Sequence, residues 1–180
     1  MRTLVLGGIR SGKSQWAESE IAEAVGPDRP VQYVATGAPD SSDPSWSDRI
    51  AAHRAARADY WSTVETTDVA TTLRSTPGTP TLVDDVGGWL AAVLDRYDWS
   101  YDEREAIAAE VDDLVGAVGG FGSPLTIVSP EVGLTVVPAT EAGRIFADEL
   151  GALNQRLAEA CDRVVLVVAG QAVRIKGFSA

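Results

Sequence analysis

At 180 residues with a formal net charge of −11, the chain is long enough for a real core and lacks the basic face that a nucleic-acid scaffold needs. Hydrophobic content of 45% and charged content of 23% are globular values, and no apolar run reaches the roughly 18 residues of a membrane span. The single Cys161 excludes an intramolecular disulfide and a cysteine-based zinc site, so a reducing cytoplasm is the expected location.

Thr3-Leu4-Val5-Leu6 is a short apolar run that predicts a buried first strand, reached so early that no signal peptide is expected. The glycine-rich segment Gly7 to Ser14 follows. Ser14 to Val25 then has helical spacing, with Trp16, Ile21, Ala24 and Val25, until Gly26-Pro27 stops it. Gln32 to Thr36 predicts the second strand and Gly37 to Pro44 a loop. Trp46 to Ala58 predicts a short helix, and Trp61 to Glu65 a weakly alternating edge strand. Pro80 to Asp85 is another buried strand, opened by Pro and closed by two acids. Helices are expected at Trp89–Leu94 and Asp102–Val118, then a strand at Leu125–Val128. A long helix is expected at Glu141–Cys161, with Ile145, Phe146, Leu150, Leu153 and Leu157 as its stripe. Arg163 to Ala169 is the most hydrophobic strand, and Val173-Arg174-Ile175 adds a short last one. No repeat, low-complexity tract or linker interrupts this order, which predicts one domain over residues 1–180. Strands alternating with helices predict an α/β protein with a mostly parallel sheet covered on both faces.

Gly7-Gly8-Ile9-Arg10-Ser11-Gly12-Lys13-Ser14 fits G-x-x-x-x-G-K-[ST], the phosphate-binding loop, in its required setting between a strand and a helix. Backbone N–H groups and a helix N-terminus would surround the phosphates, Lys13 would reach the β- and γ-phosphates, and Ser14 would ligate Mg²⁺. The expected fold is therefore a P-loop NTPase of the RecA-like kind. Because the net charge repels a nucleotide at long range, the site must be locally basic. Arg10, Lys13, Arg49, Arg54 and Arg57 are the available cations. Asp84 ends an apolar strand, the place of the acid that holds Mg²⁺ in such proteins. Its neighbour Asp85 points to the other face if the strand continues, and either acid could instead cap the following turn. His53 is the only histidine. On the predicted helix it shares a face with Arg49 and Arg57, two cations that favour a neutral, nucleophilic imidazole. A lone helical histidine is more often a surface or satisfied residue than a catalytic one, and the residues alone leave the choice open.

Taken together, these motifs resemble the bifunctional adenosylcobinamide kinase / adenosylcobinamide-phosphate guanylyltransferase family of cobalamin biosynthesis. The resemblance runs over almost the whole chain: G-G-x-R-S-G-K-S at Gly7 to Ser14, Tyr33-Val34-Ala35-Thr36, and Arg49-Ile50-Ala51-Ala52-His53-Arg54 against R-I-x-x-H-[RK]. Arg57 with Trp61-Ser62-Thr63-Val64-Glu65, then Glu131-Val132-Gly133, Val137-Pro138, Arg144 to Asp148, Asn154 to Leu157 and Val167 to Gly170 complete it. Three departures stand out. Pro130 replaces the Asn of Asn-Glu-Val-Gly, Asp84-Asp85-Val86-Gly87 stands for Asp-Cys-Leu-Thr, and Ser45 removes an acid before Arg49.

The resemblance implies two reactions. The aminopropanol hydroxyl of adenosylcobinamide takes the γ-phosphoryl group of ATP or GTP. His53 then carries the guanylyl group from GTP to adenosylcobinamide phosphate, giving adenosylcobinamide-GDP. It implies nucleotide contacts by Gly7, Gly8, Ile9, Arg10, Ser11, Gly12, Lys13 and Ser14, and by Asp84. Further contacts are implied for Thr36, Gly37, Ala38, Arg54, Ala55, Ala56 and Arg57, with Mg²⁺ on Ser14 and Asp84. Guanine needs an acceptor for its N1–H and N2–H₂, for which Glu65 is the candidate. Glu131 is a weaker candidate for a base or a corrin-side contact. The partners implied are these small molecules and further copies of the chain, in a cyclic homo-oligomer such as a trimer. Two other readings remain: another P-loop small-molecule kinase in which His53 is incidental, and a nucleotide-dependent switch or assembly ATPase.

Overall fold

The computed structural model describes residues 1–36 and 60–177. In chain order the elements are β1 (Arg2–Gly7), α1 (Lys13–Val25), β2 (Gln32–Ala35), β3 (Ser62–Glu65), α2 (Val69–Ser75), β4 (Thr81–Asp84) and α3 (Val86–Arg96). A 3₁₀ turn (Tyr101–Glu103) leads into α4 (Arg104–Gly119), followed by β5 (Leu125–Pro130), α5 (Glu141–Ala160), β6 (Arg163–Val168) and β7 (Gln171–Lys176). The helix expected over 46–58 lies outside the described residues.

Among the described residues, seven strands form one sheet in the order β3-β2-β4-β5-β1-β6-β7. Every neighbouring pair is parallel except the β6–β7 hairpin. The strand of the glycine loop, β1, is thus separated by β5 from β4, the strand ending in Asp84. That insertion is the RecA-like arrangement, as expected from the sequence.

Period-two alternation sorts the core into two layers. Leu4, Val34, Val83, Ile127 and Val164 point to the side covered by α3, α4 and α5. Val5, Tyr33, Leu82, Val128 and Val165 point to the side where α1 lays down Ala17 and Ile21. Being covered on both faces is why the central strands read as continuous apolar runs rather than alternating ones.

Boundaries follow local chemistry. Gly26, at φ +86°, donates its N–H to the Ala22 carbonyl at 3.0 Å and ends α1 where the sequence predicts. Thr140 caps α5, accepting from Gly143 N–H at 3.2 Å. Of the expected stripe Ile145, Leu150, Leu153 and Leu157 are buried, joined by Asn154, while Phe146 is only half-buried. At the other end of α5 the Lys176 ammonium donates to the carbonyls of Ala158 (2.7 Å), Glu159 (3.2 Å) and Cys161 (2.8 Å). The last strand thereby satisfies helix-end acceptors. Burial pushes the Cys161 thiol up to about 12, so it is inert at neutral pH. The helix α2 is absent from the sequence reading. Its β-branched residues Val69, Thr71 and Thr72 mask it, although Asp68 caps Thr71 N–H at 3.2 Å.

Candidate active site

The strands β1, β2, β3, β4 and β5 run parallel, so their C-terminal ends share one edge of the sheet. Gly7, Thr36, Glu65, Asp84 and Glu131 collect there. In an open α/β sheet this edge is where ligands bind.

The glycine loop leaves β1 at Gly7 and enters α1 at Lys13. Gly12 is the N-cap residue with φ +91°, a conformation that L side chains rarely adopt. A Cβ built on it would also sit 3.2 Å from the Gly170 Cα, so a side chain here would meet crowding as well as backbone strain. Gly170 lies in the two-residue turn of the β6–β7 hairpin and donates its N–H to the Ser11 carbonyl at 2.7 Å. The hairpin tip therefore braces the loop from below. No side chain caps the N-terminus of α1, and its first turn holds no acid. The amides there are free to meet an anion. The Ser11 hydroxyl is buried without a hydrogen-bond partner.

Asp84 faces the α1 side of the sheet, two residues after Leu82. The Ser14 hydroxyl donates to its Oδ1 at 3.3 Å and the Tyr33 hydroxyl to its Oδ2 at 2.6 Å. The strand stops at Asp84, so Asp85 does not continue the alternation. It caps α3, its Oδ1 accepting from Gly88 N–H at 2.8 Å. Burial, and then the Asp84 charge, raise the Asp85 pKa, while the amides of Gly88 and Gly87 and the charge of Lys13 pull it down. The two acids thus divide the alternatives left open by the sequence: Asp84 faces the loop and Asp85 holds the turn. Ser14 and Asp84 are hard oxygen donors side by side. They suit Mg²⁺, which is bound by one or two protein oxygens plus phosphates and water rather than by a protein cage. Among the described residues there is no group of three or more His, Cys, Asp or Glu able to hold a metal.

Thr36 is buried. Its N–H donates to the Asp84 carbonyl at 3.3 Å and its hydroxyl to the Asp85 carbonyl. Its described contacts tie β2 to the acidic corner. Glu65 is exposed at the end of β3, paired in register with Ala35. The strands β2, β4 and β5 stand between β3 and β1, about 19 Å at four strand spacings. A ribose and triphosphate must bridge that span for Glu65 to meet a base whose phosphates lie on the loop. Gly37, Ala38, His53, Arg54, Ala55, Ala56 and Arg57, with Arg49 and Ser45, lie outside the described residues.

Two of the sequence departures meet in space. A Cβ on Gly87 would fall 2.6 Å from Pro130 Cγ and 2.8 Å from its Cδ, so the missing side chain at 87 makes room for the proline ring. Asn154 holds the same corner, donating to the Pro130 carbonyl at 3.1 Å and accepting from the buried Ser129 hydroxyl at 2.5 Å. Glu131 N–H then donates to the Gly7 carbonyl at 3.0 Å, linking this corner to the glycine loop. Its carboxylate accepts from Gly133 N–H at 2.6 Å. Gly87→Ala is expected to destabilise the protein by about 1–3 kcal/mol through overpacking, even though Ala is the better helix former by about 1 kcal/mol. In a Pro130→Ala background the same change should become stabilising. Urea denaturation midpoints of the four proteins measure this, and additive effects would show that the two positions do not touch.

Tyr33, Asn154 and Gly170 are the site residues whose roles the sequence does not expose. Each was visible only as a letter in a motif, because its partner lies 51, 25 or 159 residues away (Asp84, Ser129 and Ser11).

The chain matches the family model described as cobinamide kinase / cobinamide phosphate guanyltransferase over residues 3–175. It is 39% identical over 180 residues to a bifunctional adenosylcobalamin biosynthesis protein of Pseudomonas aeruginosa, covering 98% of each chain. A bifunctional adenosylcobalamin biosynthesis protein of Escherichia coli is 35% identical over 187 residues, covering 98% of this chain and 100% of that one. The counterpart from Salmonella typhimurium has the same identity and coverage.

Proposed function

The chain belongs to the cobinamide kinase / cobinamide phosphate guanyltransferase family, and from that premise we propose that it phosphorylates adenosylcobinamide and then guanylylates the product, in cobalamin biosynthesis. The observation that carries this reading is the match of both activities' family along 3–175, with an intact glycine loop facing an acidic strand end. Residues 1–180 act as one P-loop catalytic domain. Among the described residues no helix is long and apolar enough to cross a membrane. We read the enzyme as cytoplasmic and as a homo-oligomer, a trimer by the resemblance. The exposed Val173 and Ile175 on the edge strand β7 support an association between copies.

In the kinase step, the amides of Gly8 to Ser14 and the Lys13 ammonium hold the β- and γ-phosphates of ATP or GTP. The acceptor hydroxyl attacks the γ-phosphorus, the bond from that phosphorus to the β–γ bridging oxygen breaks, and ADP or GDP leaves while the hydroxyl proton is lost to solvent. There is little covalent chemistry for the protein to perform, so positioning and charge neutralisation dominate. Ser14 and Asp84 would hold Mg²⁺, which when bound neutralises charge on the β- and γ-oxygens. In the transfer step, a nitrogen of His53 bonds to the α-phosphorus of GTP and pyrophosphate leaves. A phosphate oxygen of adenosylcobinamide phosphate then displaces the histidine, forming adenosylcobinamide-GDP and restoring the imidazole. Arg10, Arg54 and Arg57 supply the local positive charge that the acidic chain otherwise lacks.

Glu65 accepts from the guanine N1–H and N2–H₂ in this reading. Glu65→Gln is expected to weaken GTP by about ten- to a hundredfold, the worth of a charge-assisted contact, while ATP changes far less. Competition binding with both nucleotides measures the difference, and equal losses would remove Glu65 from base recognition. The whole reading is tested by incubating the protein with GTP and adenosylcobinamide and weighing the corrinoid products. Adenosylcobinamide phosphate and adenosylcobinamide-GDP are expected. Phosphate ester alone would leave a kinase without guanylyl transfer, and slow GTP hydrolysis alone would leave a switch.

A further inference from the structure

The Asp84 carboxylate can turn about its last torsion, a broad sp³–sp² rotor that nothing intrinsic fixes. Tyr33 removes that freedom. It stands on β2 two places before Ala35, the register partner of Asp84, so the two side chains share a face and are diagonal neighbours across β2 and β4. Its ring is packed in the layer formed by Val5, Ile21, Leu82 and Val128, leaving the residue 4% exposed. From that fixed ring the hydroxyl donates 2.6 Å to Asp84 Oδ2. The other oxygen, Oδ1, is left on the side of Ser14, 3.3 Å from its hydroxyl. A phenol already immobilised by packing loses little entropy in making this bond, and the bond sets the plane of the carboxylate.

We propose that Tyr33 is a positioning residue of the divalent-cation site: its hydroxyl holds the Asp84 carboxylate so that Oδ1 and the Ser14 hydroxyl face the cation together. This rests on the reading of Ser14 and Asp84 as the Mg²⁺ holders. Partners of this kind orient the ligand rather than touch the metal, and their removal commonly costs about ten- to a hundredfold in metal affinity. Loss of the phenol hydroxyl alone leaves the ring in its layer, so packing and metal effects can be told apart.

The test compares wild type, Tyr33→Phe and Asp84→Asn by calorimetric titration of GTP, first in EDTA and then at stepped Mg²⁺ concentrations. For Tyr33→Phe, GTP affinity in EDTA should stay within about twofold of wild type, while the Mg²⁺ concentration for half-maximal strengthening of GTP binding should rise about tenfold. An equal loss in EDTA and in Mg²⁺ would reduce Tyr33 to a packing residue and overturn the proposal. An unchanged Mg²⁺ requirement would show that the hydroxyl is idle, and would overturn it as well. Asp84→Asn separates the two levels. If it keeps the wild-type Mg²⁺ requirement, the assignment of Asp84 as a holder fails, whatever Tyr33→Phe does.

Discussion

His53→Asn is expected to keep making adenosylcobinamide phosphate at close to the normal rate and to make no adenosylcobinamide-GDP. Both reactions use a nucleoside triphosphate but break different bonds. In the proposed mechanism phosphorylation opens the β–γ linkage and uses the glycine loop, Lys13 and the Ser14–Asp84 pair, none of which the substitution replaces. Guanylylation opens the α–β linkage and, in the covalent route, needs a nitrogen nucleophile able to leave again. The chain holds one histidine, so no second imidazole can replace it. Asn conserves polarity and approximate size, but its nitrogen lone pair is delocalised into the carbonyl and cannot serve as the nitrogen nucleophile. Wild-type protein given GTP labelled at the α-phosphate should acquire a label that acid removes and alkali spares, as a phosphoramidate does. A mutant that still took up that label, or still formed adenosylcobinamide-GDP at the wild-type rate, would falsify covalent transfer at this residue. Loss of both reactions together would instead place His53 in nucleotide binding.

Much of the scaffold of the site was legible in the sequence, because local pattern and global position agree there. A four-residue apolar run, two spaced glycines and a lysine before a helical stretch can build little other than β1, the loop and α1. Asp84 was legible for the same reason: an acid closing an apolar strand has its place set by the strand. The hairpin and α2 show where this stops. Nothing near Gly170 says that its amide will meet Ser11, because that contact arises from strand order, with β6 placed beside β1. The short, β-branched α2 has weak helical preference and forms because Val69, Ala70 and Leu73 are buried.

The departures carry a second lesson. Read singly, Pro130 costs an Asn side chain and Gly87 costs a Thr, and each looks like damage to a site. In the fold the two positions are in contact, and the ring of one fills space left by the other. Asn154 then bonds a carbonyl, an acceptor that a proline retains. Compensation between positions 43 residues apart cannot be seen until β5 is laid beside β4.

Lys13→Ala is expected to suppress both reactions, each by about a hundred- to a thousandfold or more, the scale of removing one aligned charge stabiliser from a transition state. Two features make this lysine hard to replace. It is the first residue of α1, immediately after the left-handed Gly12, so the backbone sets its Cα next to the loop amides. The chain also carries a net charge of −11, so a triphosphate gains nothing from the general field and depends on the few local cations. Arg10 belongs to the same loop, but its planar fork cannot stand in for a compact ammonium at the β- and γ-oxygens. The two reactions should fall together, since the chain contains one such loop and each reaction must hold a triphosphate on it. Parallel assays of adenosylcobinamide phosphate and adenosylcobinamide-GDP formation, with GTP binding measured by calorimetry, check this. If Lys13→Ala kept near-normal kinase turnover while losing guanylyl transfer, the two reactions would use different nucleotide sites, and the single-loop mechanism would have to be abandoned.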